Sequence, residues 1–208
     1  TDMEHVFVHL ASQSRLPRLR KLWFAPFHLH RNMIARIDAL GVAASRGKDT
    51  RIVAKMNSLT DEALIHSLMR AGRKGVKIDL IVRGACMLPA QVPGHTDNIR
   101  VRSVIGRFLE HSRVFYFREG AKEDLYLSSA DWMNRNMVRR VELAWPVTDP
   151  VQRQRLVDEC LVAYLHDGVD AWDLGADGTY TRFKGDGKTA VHGAQAALMA
   201  RYADVEKA

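Results

Sequence analysis

Two cysteines in 208 residues are too few to hold a fold together by disulfides. Cys86 and Cys160 form no C-x-x-C pair and keep no zinc spacing with histidine, so both read as free buried thiols. No run approaches the roughly 18 apolar residues that a membrane-spanning helix needs. No charged, apolar, small-residue signal segment opens the chain. P-loop, G-x-G-x-x-G and G-x-S-x-G patterns are missing, as is a carboxylate pair suited to glycoside chemistry. Aromatic residues make up only 8% of the chain and do not interleave with a basic strip, which weakens a single-stranded nucleic-acid platform. The opening stretch TDMEHVFVHLASQS lacks an initiator Met and starts mid-pattern, so the chain reads as a piece of a longer protein.

What is present suits a globular domain with a basic surface. Hydrophobic residues make up 47% and charged residues 26%, enough of each for one well-cored domain. The net charge of +7 attracts polyanions such as nucleic acid, nucleotides, phosphate polymers or anionic lipid, without choosing among them.

Periodicity sets the architecture. HRNMIARIDAL puts Met33, Ile34, Ile37 and Leu40 on one helical face, with Gly41 or Gly47 to end the helix. RIVAKM (51–56) and VKIDLIV (76–82) are apolar strands. Between them SLTDEALIHSLMRAGRKG reads as a helix capped by Ser58 or Thr60, with Leu64, Ile65, Leu68 and Met69 inward. Strand, helix and strand at this spacing form a βαβ unit with parallel strands. IRVRSVI (99–105), VFYF, DLYLSS and RVELAWPV (140–147) supply further strands. TDPVQRQRLVDECLVAYLH is a helix capped by Asp149, with Pro150 at its first position and Val157, Cys160, Leu161 and Tyr164 inward. DLGADGTYTRFKGDGKTAVHG reads as a basic loop, and AQAALMARYADV as a last helix. The fold class is α/β, a mixed sheet flanked by helices, with residues 1–50 as linker and helix and 51–208 as the main domain.

Four strand ends carry polar groups able to bind an anion. Arg83 follows the apolar run KIDLIV and precedes Gly84; ligands of open α/β sheets sit outside the carboxyl ends of strands. An arginine there offers a planar fork to phosphate oxygens, unless it merely ends the strand at the surface. Glu110, His111 and Arg113 open the strand VFYF, with Arg107 nearby. His111 can accept, donate or carry a phosphoryl group, or simply cap the strand, and Glu110 and Arg113 can pair with each other. Lys55 and Asn57 end the first strand. Ser128, Ser129, Asn134, Asn136, Arg135, Arg139 and Arg140 crowd one short segment that reads as an anion cradle or as a capped turn with solvated arginines. One basic strand end is chance; four argue for a shared phosphate pocket.

AKMNSLTD, KIDLIVRGAC, NIRVRSVIGRFLEHSRVFYF, YLSSADWMNRN and RRVELAWPV, in this order and spacing over residues 50–150, resemble polyphosphate kinase of the long bacterial type. The resemblance implies that 51–208 is a carboxyl-terminal catalytic domain of phospholipase D-like fold, with 1–50 leaning on a preceding domain. It implies reversible transfer of the ATP γ-phosphoryl group to polyphosphate, by way of a phosphohistidine in a His-x-Lys motif upstream of this chain. By resemblance Arg83 binds ATP phosphates and His111 is a second active-site histidine that also contacts the nucleotide. Arg140 is expected to reach phosphate, and Lys55 to help clamp it. Mg²⁺ is the implied cofactor, with ligands outside this chain. The implied partners are ATP or ADP, inorganic polyphosphate, the preceding domains and further copies of the full-length protein, with no nucleic acid. The implied location is the cytoplasm, with membrane association left open. The segment 166–190 suits a lid, a tunnel wall or a plain surface loop.

The resemblance also sets out departures from the wider phospholipase D pattern. His111-x-Arg113 stands for H-x-K, Arg118 takes the place of the later acid, and the serine motif reads Ser128-Ser129-Ala130-Asp131. Arginines in place of the acid suit holding a polyanion more than hydrolysing a diester. The alternatives are a phospholipase D-like phosphodiesterase or nuclease using His111, and a basic nucleic-acid-binding module.

Overall fold

A computed structural model of the chain describes residues 1–183 and 192–203. Nine strands form one mixed sheet in the order β1-β7-β6-β5-β2-β3-β4-β8-β9. They are β1 (Trp23–Ala25), β2 (Thr50–Met56), β3 (Lys77–Val82), β4 (Ile99–Val104), β5 (Val114–Glu119), β6 (Lys122–Ser128), β7 (Glu142–Pro146), β8 (Ala171–Leu174) and β9 (Tyr180–Arg182). β2, β3 and β4 run parallel, and every other pairing is antiparallel.

The parallel centre needs cover on both faces, because its strands are apolar on both. Ile52, Ala54, Met56, Ile78, Leu80 and Val82 face a core shared with α2 (Leu29–Ser45) and α3 (Glu62–Arg73). Val53, Ile81, Val114 and Tyr116 face a second core under the helix α5, residues 150–165. Val157–Val162 form a π-helical stretch within it. Asp149 caps α5 through the N–H of Gln152, and Pro150 occupies the first turn, as expected.

Several expectations shift by one element. α2 runs past Gly41, whose missing side chain lets α2 approach Ala71 of α3; a Cβ there would stand 3.3 Å from the Ala71 Cα. The helix ends at Ser45, with Gly47 beyond it at φ 78. The cap of α3 is Asp61, which accepts from the Leu64 N–H at 3.0 Å. Thr60 and Ser58 lie one and three residues before Asp61, in the loop that pairs with Trp132, whose carbonyl accepts the Thr60 and Asp61 N–H groups. The glycine-rich loop expected over 173–193 contains strand. Trp172–Leu174 pair with Tyr180–Arg182 across a turn at Gly175–Gly178. These strands are short and mostly exposed, so they carry no apolar alternation to read. Residues 184–191, within that same segment, and 204–208, at the end of the expected last helix, lie outside the described residues. The last described helix spans Ala194–Ala203.

The first 50 residues contain α1 (Asp2–Ser12), β1 and α2. From Trp23 on they are built into this sheet and core, with Phe24, Ala25, Leu29 and Met33 fully buried. Among the described residues, no helix is long and apolar enough to cross a membrane.

Candidate phosphate site

The strand pairing brings the expected groups to one end of the sheet. β2, β3 and β4 end there, and so does β6; β5 and β7 begin there. Arg83, Glu110 to Arg113, Asn57, Ser128 to Asp131 and Arg140 therefore line one rim. What each side chain touches separates them.

Lys55 does not reach the rim. Its side chain is 5% exposed, and its Nζ lies 2.5 Å from a Glu110 oxygen and 3.2 Å from the centre of the Tyr164 ring. Burial pushes the ammonium below its ordinary value, against the pull of Glu110. Burial pushes the Glu110 carboxyl up, but Lys55 and Ser112 outweigh it and hold it below its ordinary value. The short contact favours the ionised pair. Glu110 also accepts from the Ser112 N–H at 2.8 Å, so the pair ties the residues on either side of His111 to β2 and α5. Lys55 thus acts on the loop rather than on a phosphate.

Arg113 is likewise taken, and by a different acid from the one expected. It forks onto Asp131, Nε to Oδ1 and Nη2 to Oδ2, both at 3.0 Å. Asp131 also accepts from the Asn57 N–H at 2.7 Å. Burial pushes Asp131 up, but Arg113 and the Asn57 and Ser58 N–H groups outweigh it, so the carboxyl lies below its ordinary range. Arg118 stands at the other end of β5, paired with Asp49 at 2.7 Å. Arg113, at the lysine position of that pattern, and Arg118, at its later acid position, are therefore each bound to a carboxylate of this chain.

The cradle of hydroxyl and amide groups exists, and its anion is internal. Ser129 Oγ donates to Glu142, and Asn136 Nδ2 donates to the same carboxylate at 2.6 Å. Ser128 Oγ donates to the Leu143 carbonyl at 2.8 Å. These groups fix the start of β7 against the end of β6. Asn136 belongs to the short helix α4 (Asn134–Val138), which stands where the sequence allowed a capped turn, though Met133 precedes it with no side-chain cap. Arg135, Arg139 and Arg140 are exposed, and no described ion pair holds their side chains. Arg140 is on the correct rim but is not brought into contact with Arg83 or His111.

Arg83 and His111 remain. The Arg83 backbone is fixed by its N–H to the Met56 carbonyl at 3.2 Å and by Ser103 Oγ to its own carbonyl at 2.9 Å. Its Nη2 lies 3.5 Å from His111 Nδ1, at the long limit of a hydrogen bond. Its Nη1 is buried with no hydrogen-bond partner among the described residues. A buried guanidinium N–H left unpaired is costly, and such groups mark places where a ligand completes the pairing. Arginine only donates, so the contact is a hydrogen bond in the tautomer that leaves His111 Nδ1 as acceptor and the proton on Nε2.

A clamp not foreseen from the sequence holds the same loop from the other side. Gln195, 6% exposed, accepts from the Phe108 N–H at 2.7 Å and donates to the Phe108 carbonyl at 3.0 Å. Gly106 allows this approach, since a Cβ there would stand 2.6 Å from the Gln195 amide oxygen. The stretch 105–113 is thus held by Lys55 beneath and Gln195 beside, with His111 exposed between them. Arg107 lies over the Phe108 ring, 5.6 Å from its centre.

Comparison with known proteins gives one consistent family. The family description "Polyphosphate kinase C-terminal domain 2" matches residues 22–195. Over 201 residues the chain is 47% identical to a polyphosphate kinase of Burkholderia cenocepacia, covering 97% of this chain and 29% of that protein. A polyphosphate kinase of Xylella fastidiosa is 42% identical, covering 95% of this chain and 28% of its own. The crystal structure of polyphosphate kinase from Porphyromonas gingivalis superposes with a TM-score of 0.91 at 34% identity, covering 99% of this chain and 31% of that one. The chain therefore spans less than a third of the length of the relatives it matches.

Proposed function

The chain belongs to the polyphosphate kinase family, and on that premise we propose that it supplies the nucleotide- and phosphate-binding wall of an ATP-polyphosphate phosphotransferase. The observation that carries this reading is Arg83: a guanidinium with one nitrogen beside His111 and the other buried without a partner. The other cations of that wall's inner layer, Lys55 and Arg113, already have carboxylates.

The reaction moves the γ-phosphoryl group of ATP to a histidine in the rest of the full-length protein, then to the end of a polyphosphate chain. In the first step the bond from phosphorus to the β–γ bridging oxygen breaks, a P–N bond forms and ADP leaves. In the second the P–N bond breaks and a terminal phosphate oxygen takes the phosphorus; both steps run in reverse. Phosphoryl transfer needs little covalent help from the surrounding residues and much charge stabilisation. Arg83 offers the Nη1 donor to phosphate oxygens. His111, with its proton on Nε2, can donate to the bridging oxygen as charge builds there. Arg140 sits on the same rim and can meet phosphate further along a chain.

Mg²⁺ would neutralise phosphate charge during transfer. Among the described residues, no three His, Cys, Asp or Glu side chains are disposed to hold a metal ion. The rim carboxylates Glu110, Asp131 and Glu142 are engaged with Lys55, Arg113 and Asn136. The residues present do not fit the ion, and its ligands belong to the remainder of the protein in this reading.

The chain alone therefore makes no polyphosphate, while the full-length protein does. The test is ATP-dependent polymer formation by each. Steady polymer growth by the purified chain would show that the nucleophile is here and would overturn the division of labour.

A further inference from the structure

Away from the Arg83 rim, the loop between α1 and β1 encloses an open cavity of about 660 Å³. Arg15, Arg18, Arg20 and Arg31 line it, together with His28, and no Asp or Glu does. Among the described residues, none of these four arginine side chains has a hydrogen-bond or ion-pair partner. The nearby acid is already used: Asp2 accepts the backbone N–H groups of Arg20, Lys21 and Leu22 and so fixes the loop around the cavity. Four of the 31 basic residues of a chain at +7 thus converge, and the carboxylate beside them, Asp2, is bonded to backbone N–H groups rather than to a guanidinium. Burial and the neighbouring Arg31 both push the His28 imidazole down, so the charge crowding is felt at the wall.

The cavity's aromatic residues are occupied. Trp23 stacks on Tyr126 with ring centres 4.3 Å apart. Phe27 stacks on Phe24, and the His9 ring meets both edge-on. Phe27 keeps 53% of its surface exposed, but the four guanidinium groups set the cavity's chemistry and suit it to phosphate groups. Its position adds a length. β1, which borders the cavity, lies five strands from β3, so at about 4.8 Å per strand the two are roughly 25 Å apart across the sheet. A single phosphate group cannot bridge that span, and a linear phosphate polymer can.

We infer that the Arg15–Arg20 loop and Arg31 form a second phosphate-chain site, which holds a distal stretch of inorganic polyphosphate while its end is at the Arg83 rim. The inference rests on the proposed polyphosphate reading and adds to it a site that grips the polymer away from the chemistry. Its role is retention: a chain held at two places leaves more slowly than one held at one.

The experiment measures binding of medium-chain inorganic polyphosphate to the chain by calorimetry, alongside ATP and a single-stranded oligonucleotide of matched charge. Variants are Arg18→Glu/Arg31→Glu, the charge-keeping Arg18→Lys/Arg31→Lys, and Arg83→Ala, with thermal melts to establish folding. The glutamate pair is expected to weaken polyphosphate binding by roughly tenfold per arginine, the scale of a charge-assisted hydrogen bond. The lysine pair should keep most of the binding, and Arg83→Ala should weaken it by about tenfold as well, because it removes the other hold on the chain. Unchanged polyphosphate binding by the folded glutamate pair would overturn the second site. So would an oligonucleotide that binds as tightly as polyphosphate, which would make the cavity a general basic patch. Loss of binding on Arg83→Ala with wild-type binding by the glutamate pair would overturn it too, while leaving the rim reading intact. A full-length Arg83→Ala enzyme with normal synthesis would instead remove the rim reading and leave the cavity result standing.

Discussion

Replacing Lys55 with methionine removes the cation bonded to Glu110 while keeping most of its apolar stem. Lys55 is 5% exposed and Glu110 25% exposed, so the carboxylate left behind is partly but not fully desolvated. Removing one member of a fully buried pair costs about 3–5 kcal/mol. The exposure of Glu110 lowers that to about 2–3 kcal/mol, or about 5–10 °C in Tm for a domain of this size. Replacing both, Lys55→Met with Glu110→Gln, leaves no uncompensated charge and should return most of the loss. Urea unfolding of the four proteins closes a double-mutant cycle, with an expected coupling of at least about 2 kcal/mol. In the full-length enzyme, Lys55→Met should lower kcat through a loosened His111 loop, whereas a lost phosphate ligand would mainly raise KM. A coupling indistinguishable from zero, or a pure KM effect, would refute the assignment of Lys55 to the loop.

Three further outcomes follow from the same geometry. Arg83→Ala in the full-length protein should lower ATP-dependent synthesis by about a hundredfold, and Arg83→Lys should not restore it, because an ammonium lacks the planar fork. Gly106→Ala should destabilise the chain by about 1–3 kcal/mol in urea unfolding, because its Cβ meets the buried Gln195 amide. Asp131, Asp61 and Glu110 are all held below their ordinary values of 3.8, 3.8 and 4.5. Their contribution is full above those values and falls away as pH drops through the lowered ones, so the urea midpoint should decline below about pH 4.5, and Asp131→Asn should flatten that decline.

Local pattern and strand ends carried much of this structure into the sequence. The βαβ unit of β2, α3 and β3 was legible because both strands are apolar and the helix between them shows a clear inward face. β8 and β9 were not: β9 is a three-residue edge strand exposed throughout, and the four-residue β8 beside it buries only Ala171 and Leu174. The candidate site divided in the same way. Arg83 and His111 could be found because each follows or precedes an apolar strand at the sheet's binding end. The partner of Lys55 could not, since nothing local shows that β2 ends beneath the loop carrying Glu110. The hydroxyl and amide cluster was legible as an anion cradle, but those groups accept a protein carboxylate as readily as a phosphate, and Glu142 fills it. Gln195 gave no signal, because its partner Phe108 is 87 residues away in sequence.

His111 is the group on which the central claim turns, because it is exposed, held by two anchors and faces a guanidinium with a nitrogen to spare. The most direct measurement is ATP-dependent polyphosphate formation by the full-length protein, wild type against His111→Ala, with both shown to melt alike. The account predicts loss of synthesis in a normally folded variant. Full synthesis by His111→Ala would contradict it and reduce His111 to a residue that merely ends a strand.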